Sequence, residues 1–237
     1  MDKVKILFVR GFATALSTGI DTYLGIKIVL EQHYDFIYFD YEPWETLDEV
    51  QKRLFKIIHT VKPDILIGHS LGGGLVAKYI KSHTETINKD MKIILLMPLL
   101  CKTAFSELMM KILSHSLSFN PKLLLPKSLI MNPMDIYEGG NILNRDFSII
   151  SFRQLYDIAT EQLTNDLSFI SDNPKIKLLY ASNENINIID ESVLKQIPTN
   201  QLKRVNGLHE PWRSIKINTN KTTDFFSQLL EIVNTSD

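Results

Sequence analysis

One cysteine, Cys101, stands in 237 residues, so no internal disulfide can form and no thiolate cage can hold a metal. That scarcity fits a reducing compartment, and the expected location is cytoplasmic. Charge of one sign is missing too: 26 Lys and Arg against 27 Asp and Glu leave a formal net charge of −1. A chain so balanced carries no basic footprint, and no nucleic-acid partner is expected. Long apolar runs are absent as well. The richest, 93–100, is interrupted by Pro98 and stops before Lys102, whereas a membrane-spanning helix takes about 20 apolar residues. The opening MDKVKILFVRGF meets Arg10 early and shows no small-residue cleavage pattern, so it reads as a first strand rather than a leader. HExxH, paired CxxC and the P-loop pattern are all missing, so neither a cofactor nor a metal is expected.

What the chain does contain is the profile of a globular protein, with 44% hydrophobic and 22% charged residues. Its length suits a single domain over 1–237 with room for a substantial core. Short β-branched or leucine-rich runs alternate with helical patterns. Strands are expected at 4–9, 36–39, 65–67, 92–97, 176–180 and 202–205, and helices at about 21–31, 47–62 and 71–82. The second helix has a capping box at Thr46 and Glu49 and stops at Pro63. A final amphipathic helix is expected to turn Phe226, Leu229, Leu230 and Val233 inward. Continuous apolar strands alternating with helices predict an α/β fold, a mostly parallel six-stranded sheet covered on both faces. Ligands of such sheets bind beyond the carboxyl ends of the strands. The loops starting at Arg10, Gly68, Pro98, Ala181 and Asn206 are therefore where chemistry is expected.

Roughly eighty residues separate the fourth and fifth runs, where a crossover needs about a dozen. The excess reads as a helical cap over 102–143, inserted between the fourth and fifth strands, with a further capping box at Ser151 and Gln154. Phe105 and Met109, on a Met-rich amphipathic stretch of this insertion, would line an adaptable apolar channel for an acyl chain or form the cap's own core.

The stretch DILIGHSLGGGLVAKY, residues 64–79, carries the chemical signal. A strand runs into Gly68-His69-Ser70-Leu71-Gly72 and leaves as a helix. A turn that tight strains its central residue and brings neighbouring chain close, which is why glycines stand two positions away on each side. Ser70 Oγ would stand above the sheet, and the Leu71 N–H at the helix start would face a developing oxyanion. A serine hydroxyl needs a base oriented by a carboxylate. Of the six histidines, only His209 follows a strand directly in a loop, within VNGLHEPW. The acid is expected after the fifth strand, from Glu184 or Asp190; Glu184 lies nearer the strand end, which holds a side chain more rigidly.

FVRGF at 8–12, GHSLGG at 68–73, ASNENINI at 181–188 and LHEPW at 208–212 together resemble the α/β-hydrolase superfamily. The resemblance in element order covers almost the whole chain, without the family's N-terminal antiparallel strands. It implies Ser70 as nucleophile, His209 as base, Glu184 as acid, and the amides of Phe12 and Leu71 as oxyanion hole. Two departures stand out: Arg10 where the family commonly has His, and Ala181 and Glu184 where it commonly has Gly and Asp. Arg10 would either meet a substrate anion at the rim or pair with Asp40. The expected activity is hydrolysis of a carboxylic ester, small or lipid-like, through an acyl-enzyme. A thioesterase or acyl transferase, or a binding protein on the same fold, is the alternative.

Overall fold

The computed structural model describes residues 3–11, 23–41, 45–83, 88, 90–100, 167–184, 189–207, 210–213 and 219–235. Its strands are β1 (Lys5–Val9), β2 (Asp35–Phe39), β3 (Ile65–His69), β4 (Lys92–Leu96), β5 (Ile176–Ala181) and β6 (Leu202–Val205). They form one sheet in the order β2-β1-β3-β4-β5-β6, and every neighbouring pair is parallel. The helices are α1 (Leu24–Glu31), α2 (Leu47–Val61), α3 (Leu71–Ser82), α4 (Ser168–Ser171), α5 (Glu191–Leu194) and α6 (Thr219–Asn234), with a 3₁₀ turn at Pro211–Arg213.

The continuous apolar runs are explained by burial on both faces. Successive side chains of a strand point opposite ways. Leu7, Val9, Leu66, Ile93, Leu95 and Leu178 meet α2 and α3 on one side. Ile6, Phe8, Ile67, Ile94, Leu96 and Leu179 meet α1 and α6 on the other. Each fully buried side chain of this size contributes about 1.5–3 kcal/mol of transfer free energy, so neither layer could be lost without losing the fold.

The boundaries of α2 follow from its ends. Thr46 Oγ1 accepts from the Glu49 N–H while Glu49 Oε2 accepts from the Thr46 N–H, which completes the capping box. Lys62 closes the helix in the left-handed region at φ 50°, just before Pro63. The last helix differs from expectation in which face it buries. Phe225, Leu229, Ile232 and Val233 are buried, while Phe226 and Leu230 are only partly so. Its inner face is set by the 3₁₀ turn, where the Trp212 ring lies 5.2 Å from that of Phe225. The inserted cap expected at 102–143 and the capping box at Ser151 lie outside the described residues.

Strand order places the site. From β1 the chain crosses to β2 on one side and then to β3 on the other. Loops leaving the carboxyl ends of β1 and β3 therefore diverge, and the crevice between them is the place such sheets offer a ligand.

Candidate active site

Ser70 stands at that crevice, between the last residue of β3 and the first of α3. Its backbone is at φ 52°, ψ −118°, a region that costs a non-glycine residue about 1–3 kcal/mol. Three backbone hydrogen bonds hold it there. The Ser70 N–H donates to Leu96 O at 3.0 Å, and its carbonyl accepts from the N–H groups of Gly74 at 3.1 Å and Leu99 at 2.8 Å. Leu71 opens α3, so its N–H is among the amides that have no acceptor inside the helix. Packing explains the second glycine of the motif, Gly72: a Cβ there would lie 2.2 Å from Arg10 O and 2.3 Å from Val9 O. Helix α3 is thus packed backbone to backbone on the end of β1. Met97, also at positive φ, follows β4 and leads into Pro98, which faces Gly73.

The β1 loop is held by tyrosines that the sequence reading did not single out. The Gly11 N–H donates to Tyr23 Oη at 2.7 Å. Tyr23 Oη lies 2.8 Å from His69 Nδ1, which makes a bridge from that loop to the residue before Ser70. On the other side, Tyr41 Oη lies 2.5 Å from Gly11 O and 3.3 Å from Arg10 O. Burial pushes the Tyr41 hydroxyl well above its ordinary range, so it remains protonated and donates. The only available signal for Tyr41 was position, at the carboxyl end of a strand neighbouring β1. Tyr23 gave none, since it fell inside the helix expected at about 21–31.

Arg10 is 4% exposed, with Nη1 2.5 Å from Asp40 Oδ1 and the guanidinium 5.7 Å from the centre of the Tyr41 ring. Burial works against its charge, but Tyr38, Tyr41 and Asp40 outweigh that and hold its pKa above the ordinary value. Of the two roles expected for Arg10, pairing with Asp40 is the arrangement found. The buried guanidinium does not present itself at the rim.

The two candidate acids are separated. Glu184 follows β5 directly, half-buried, and its N–H donates to Ala181 O at 3.2 Å. Asp190 is exposed and caps α5, accepting from the Ser192 N–H at 2.7 Å. The Glu184 loop is joined to the loop after β6: the Ser182 N–H donates to Val205 O at 2.8 Å and the Asn183 N–H to Gly207 O at 3.1 Å. Beyond 208–209, Trp212 is buried with its ring 4.8 Å from that of His69. The chain on both sides of His209 is thus anchored, to the Glu184 loop before it and to His69 after it. His209 itself, Phe12, Phe105 and Met109 lie outside the described residues. The groups brought together are Ser70, Leu71, His69, Gly11 and Arg10. The described residues hold no cluster of three or more His, Cys, Asp or Glu suited to a metal.

The fold of this chain matches many solved structures. One is the monoacylglycerol lipase of Paleococcus ferrophilus, at 16% identity and TM-score 0.66, with 99% of this chain and 97% of that chain covered. Another is the esterase from Exiguobacterium antarcticum, at 15% identity and TM-score 0.66, covering 99% and 93%. The chain has the α/β-hydrolase fold. The bromoperoxidase of Bacillus anthracis shares it, at 17% identity and TM-score 0.64, covering 98% and 92%. No protein-family model and no curated protein matches the chain. Since the α/β-hydrolase fold carries proteins named for different activities, chemistry has to be argued from the site. No helix among the described residues is long and apolar enough to cross a membrane.

Proposed function

We propose that the protein is a serine hydrolase that cleaves a carboxylic ester. Ser70 Oγ attacks the ester carbonyl, and His209, oriented by Glu184, takes the hydroxyl proton. The amides of Phe12 and Leu71 receive the oxyanion. As the tetrahedral intermediate collapses, His209 returns the proton to the departing alcohol, and water then repeats the sequence on the acyl-enzyme. The observation that carries this reading is the backbone of Ser70, strained at φ 52° and buttressed by three hydrogen bonds at a strand-to-helix switch. Packing alone gives no reason to maintain such strain; exposing a nucleophile beside a helix N-terminus does. Glu184 is preferred over Asp190 because Asp190 is already engaged as a cap. The lipase and esterase names among structures of the same fold favour an ester with an acyl chain. Phe105 and Met109 are proposed to contact that chain.

A fluorophosphonate probe tests the reading directly. Wild-type protein is expected to carry one adduct, on Ser70, that is lost in Ser70→Ala and in His209→Ala. Matched series of p-nitrophenyl esters and acyl-CoA thioesters then fix the bond and the chain length. A folded protein that stays unlabelled with and without detergent, or labels at another residue, overturns the assignment.

A further inference from the structure

We propose that Tyr23 and Tyr41 are positioning residues of the oxyanion hole: their hydroxyls hold Gly11 from both sides and thereby orient the amide that follows it. The proposal rests on the serine-hydrolase reading and adds to it the groups that pre-set its first oxyanion donor. Tyr23 comes from the residue before α1 and Tyr41 from the loop after β2, yet both hydroxyls converge on one glycine. Tyr23 Oη takes the Gly11 N–H at 2.7 Å, and Tyr41 Oη lies 2.5 Å from the Gly11 carbonyl oxygen. A peptide group is planar, so its C=O and the next N–H are parts of one rigid plate. Holding Gly11 O therefore holds the direction of the amide assigned to Phe12.

The fit around Gly11 shows how little movement the site would tolerate. A Cβ there would lie 2.7 Å from Tyr23 Oη, 2.9 Å from His69 Nδ1 and 3.1 Å from Ser70 Cβ. Gly11 thus lies close enough to Ser70 that a single methyl group would crowd its side chain, and any displacement of the loop changes the distance from the proposed oxyanion donor to the serine. Tyr23 is in turn held against the elbow through His69 Nδ1 at 2.8 Å. The clamp and the nucleophile are consequently one connected unit, running Tyr41, Gly11, Tyr23, His69, Ser70. A donor fixed before reaction costs no reorganisation in the transition state, which is where such groups gain their effect. Tyr38 provides the contrast. Its ring lies 6.1 Å from that of Tyr23 in the same aromatic cluster, but its buried hydroxyl makes no hydrogen bond among the described residues.

The test compares Tyr23→Phe, Tyr41→Phe and Tyr38→Phe, each checked by thermal melting. Substrate is a short p-nitrophenyl ester, and the probe of the oxyanion site is a trifluoromethyl ketone, which adds to the serine and places its oxygen in the hole. For Tyr23→Phe and Tyr41→Phe, kcat is expected to fall at least about tenfold with KM within about twofold, and ketone affinity to weaken by a similar factor. Tyr38→Phe is expected to change neither. A general packing effect would lower stability and shift KM without selective loss of the ketone. Unchanged kcat in both clamp variants, or an equal loss in Tyr38→Phe, overturns the positioning role while leaving the hydrolase reading intact. Wild-type protein that neither hydrolyses the ester nor takes fluorophosphonate at Ser70 overturns that reading itself, and the clamp with it. Should both Phe variants fail to fold, 3-fluorotyrosine at position 41 decides, since it keeps the ring and supplies a stronger donor. An effect on kcat at constant KM supports the clamp, and none overturns it.

Discussion

Asp190 directs Oδ1 at Ser192, whose N–H lies 2.7 Å away and whose hydroxyl lies 2.5 Å away. The Ser192 side-chain hydrogen bond, followed by its backbone N–H, holds the Asp190 carboxyl below its ordinary pKa. A carboxyl whose folded value is depressed stabilises the cap above its unfolded pKa, about 3.9, and loses that contribution only as pH falls through the folded value. In the neutral range the cap is therefore fully formed and Asp190 is committed to it. Glu184, half-buried at the end of β5, is the carboxylate whose loop is hydrogen-bonded to the loop that contains His209. Glu184→Gln is expected to lower kcat for ester hydrolysis by roughly 10⁴, the scale set by losing the correct histidine tautomer. Asp190→Asn keeps a capping oxygen and is expected to leave kcat within about twofold of wild type. Steady-state rates on one ester decide the matter, and the opposite pattern would move the acid to Asp190.

Helix α6 shows where element-level reading from sequence succeeds and where it stops. Spacing identified an amphipathic helix, but a stripe of Phe225, Phe226, Leu229, Leu230, Ile232 and Val233 is wide enough to be centred in more than one way. Trp212 and the sheet choose the centre: Phe225 is fully buried, whereas Phe226 sits at the edge beside Gly25. Phe225→Ala is expected to cost about 3–5 kcal/mol as a core truncation, and Phe226→Ala about 1–2 kcal/mol for partial burial. Urea unfolding midpoints measure both, and equal losses would mean that the helix is turned about its axis. Other elements were legible because their signals are local: the Thr46 box, Pro63 as a stop, and the glycines around Ser70 each act within a few residues. The tyrosine clamp was not, because Tyr23 and Tyr41 meet Gly11 across 12 and 30 residues of sequence. No periodicity encodes that convergence; it exists only once β1 is paired with β2. Arg10 was half legible. Its partner Asp40 could be named from the neighbouring strand end, but burial of the pair depended on the same convergence.

Across the whole molecule, the candidate site is distributed unevenly with respect to stability. Ser70, Gly11 and the loop after β4 hang from β1, β3 and β4, central strands whose apolar side chains are buried on both faces. Glu184 hangs from β5 and is joined through Gly207 to β6, an edge strand of four residues. Lys203 and Arg204 of β6 form exposed ion pairs with Glu231 and Glu191, which screen the edge against pairing but contribute little to stability. The proposed nucleophile and oxyanion half therefore rests on the strands expected to open only with global unfolding, and the proposed acid and base half on an edge expected to open locally. Native-state hydrogen exchange is expected to show amides of β1, β3 and β4 exchanging only through global unfolding. Amides of β6 and of β2, the opposite edge, are expected to exchange through smaller openings of lower free energy. Low concentrations of urea would then abolish ester turnover before the core of the sheet exchanges, because opening β6 removes the anchor of the Glu184 loop. If β6 proved as protected as β3, or activity and global structure were lost together, the two halves would be one cooperative unit and the site would owe nothing to the sheet edge.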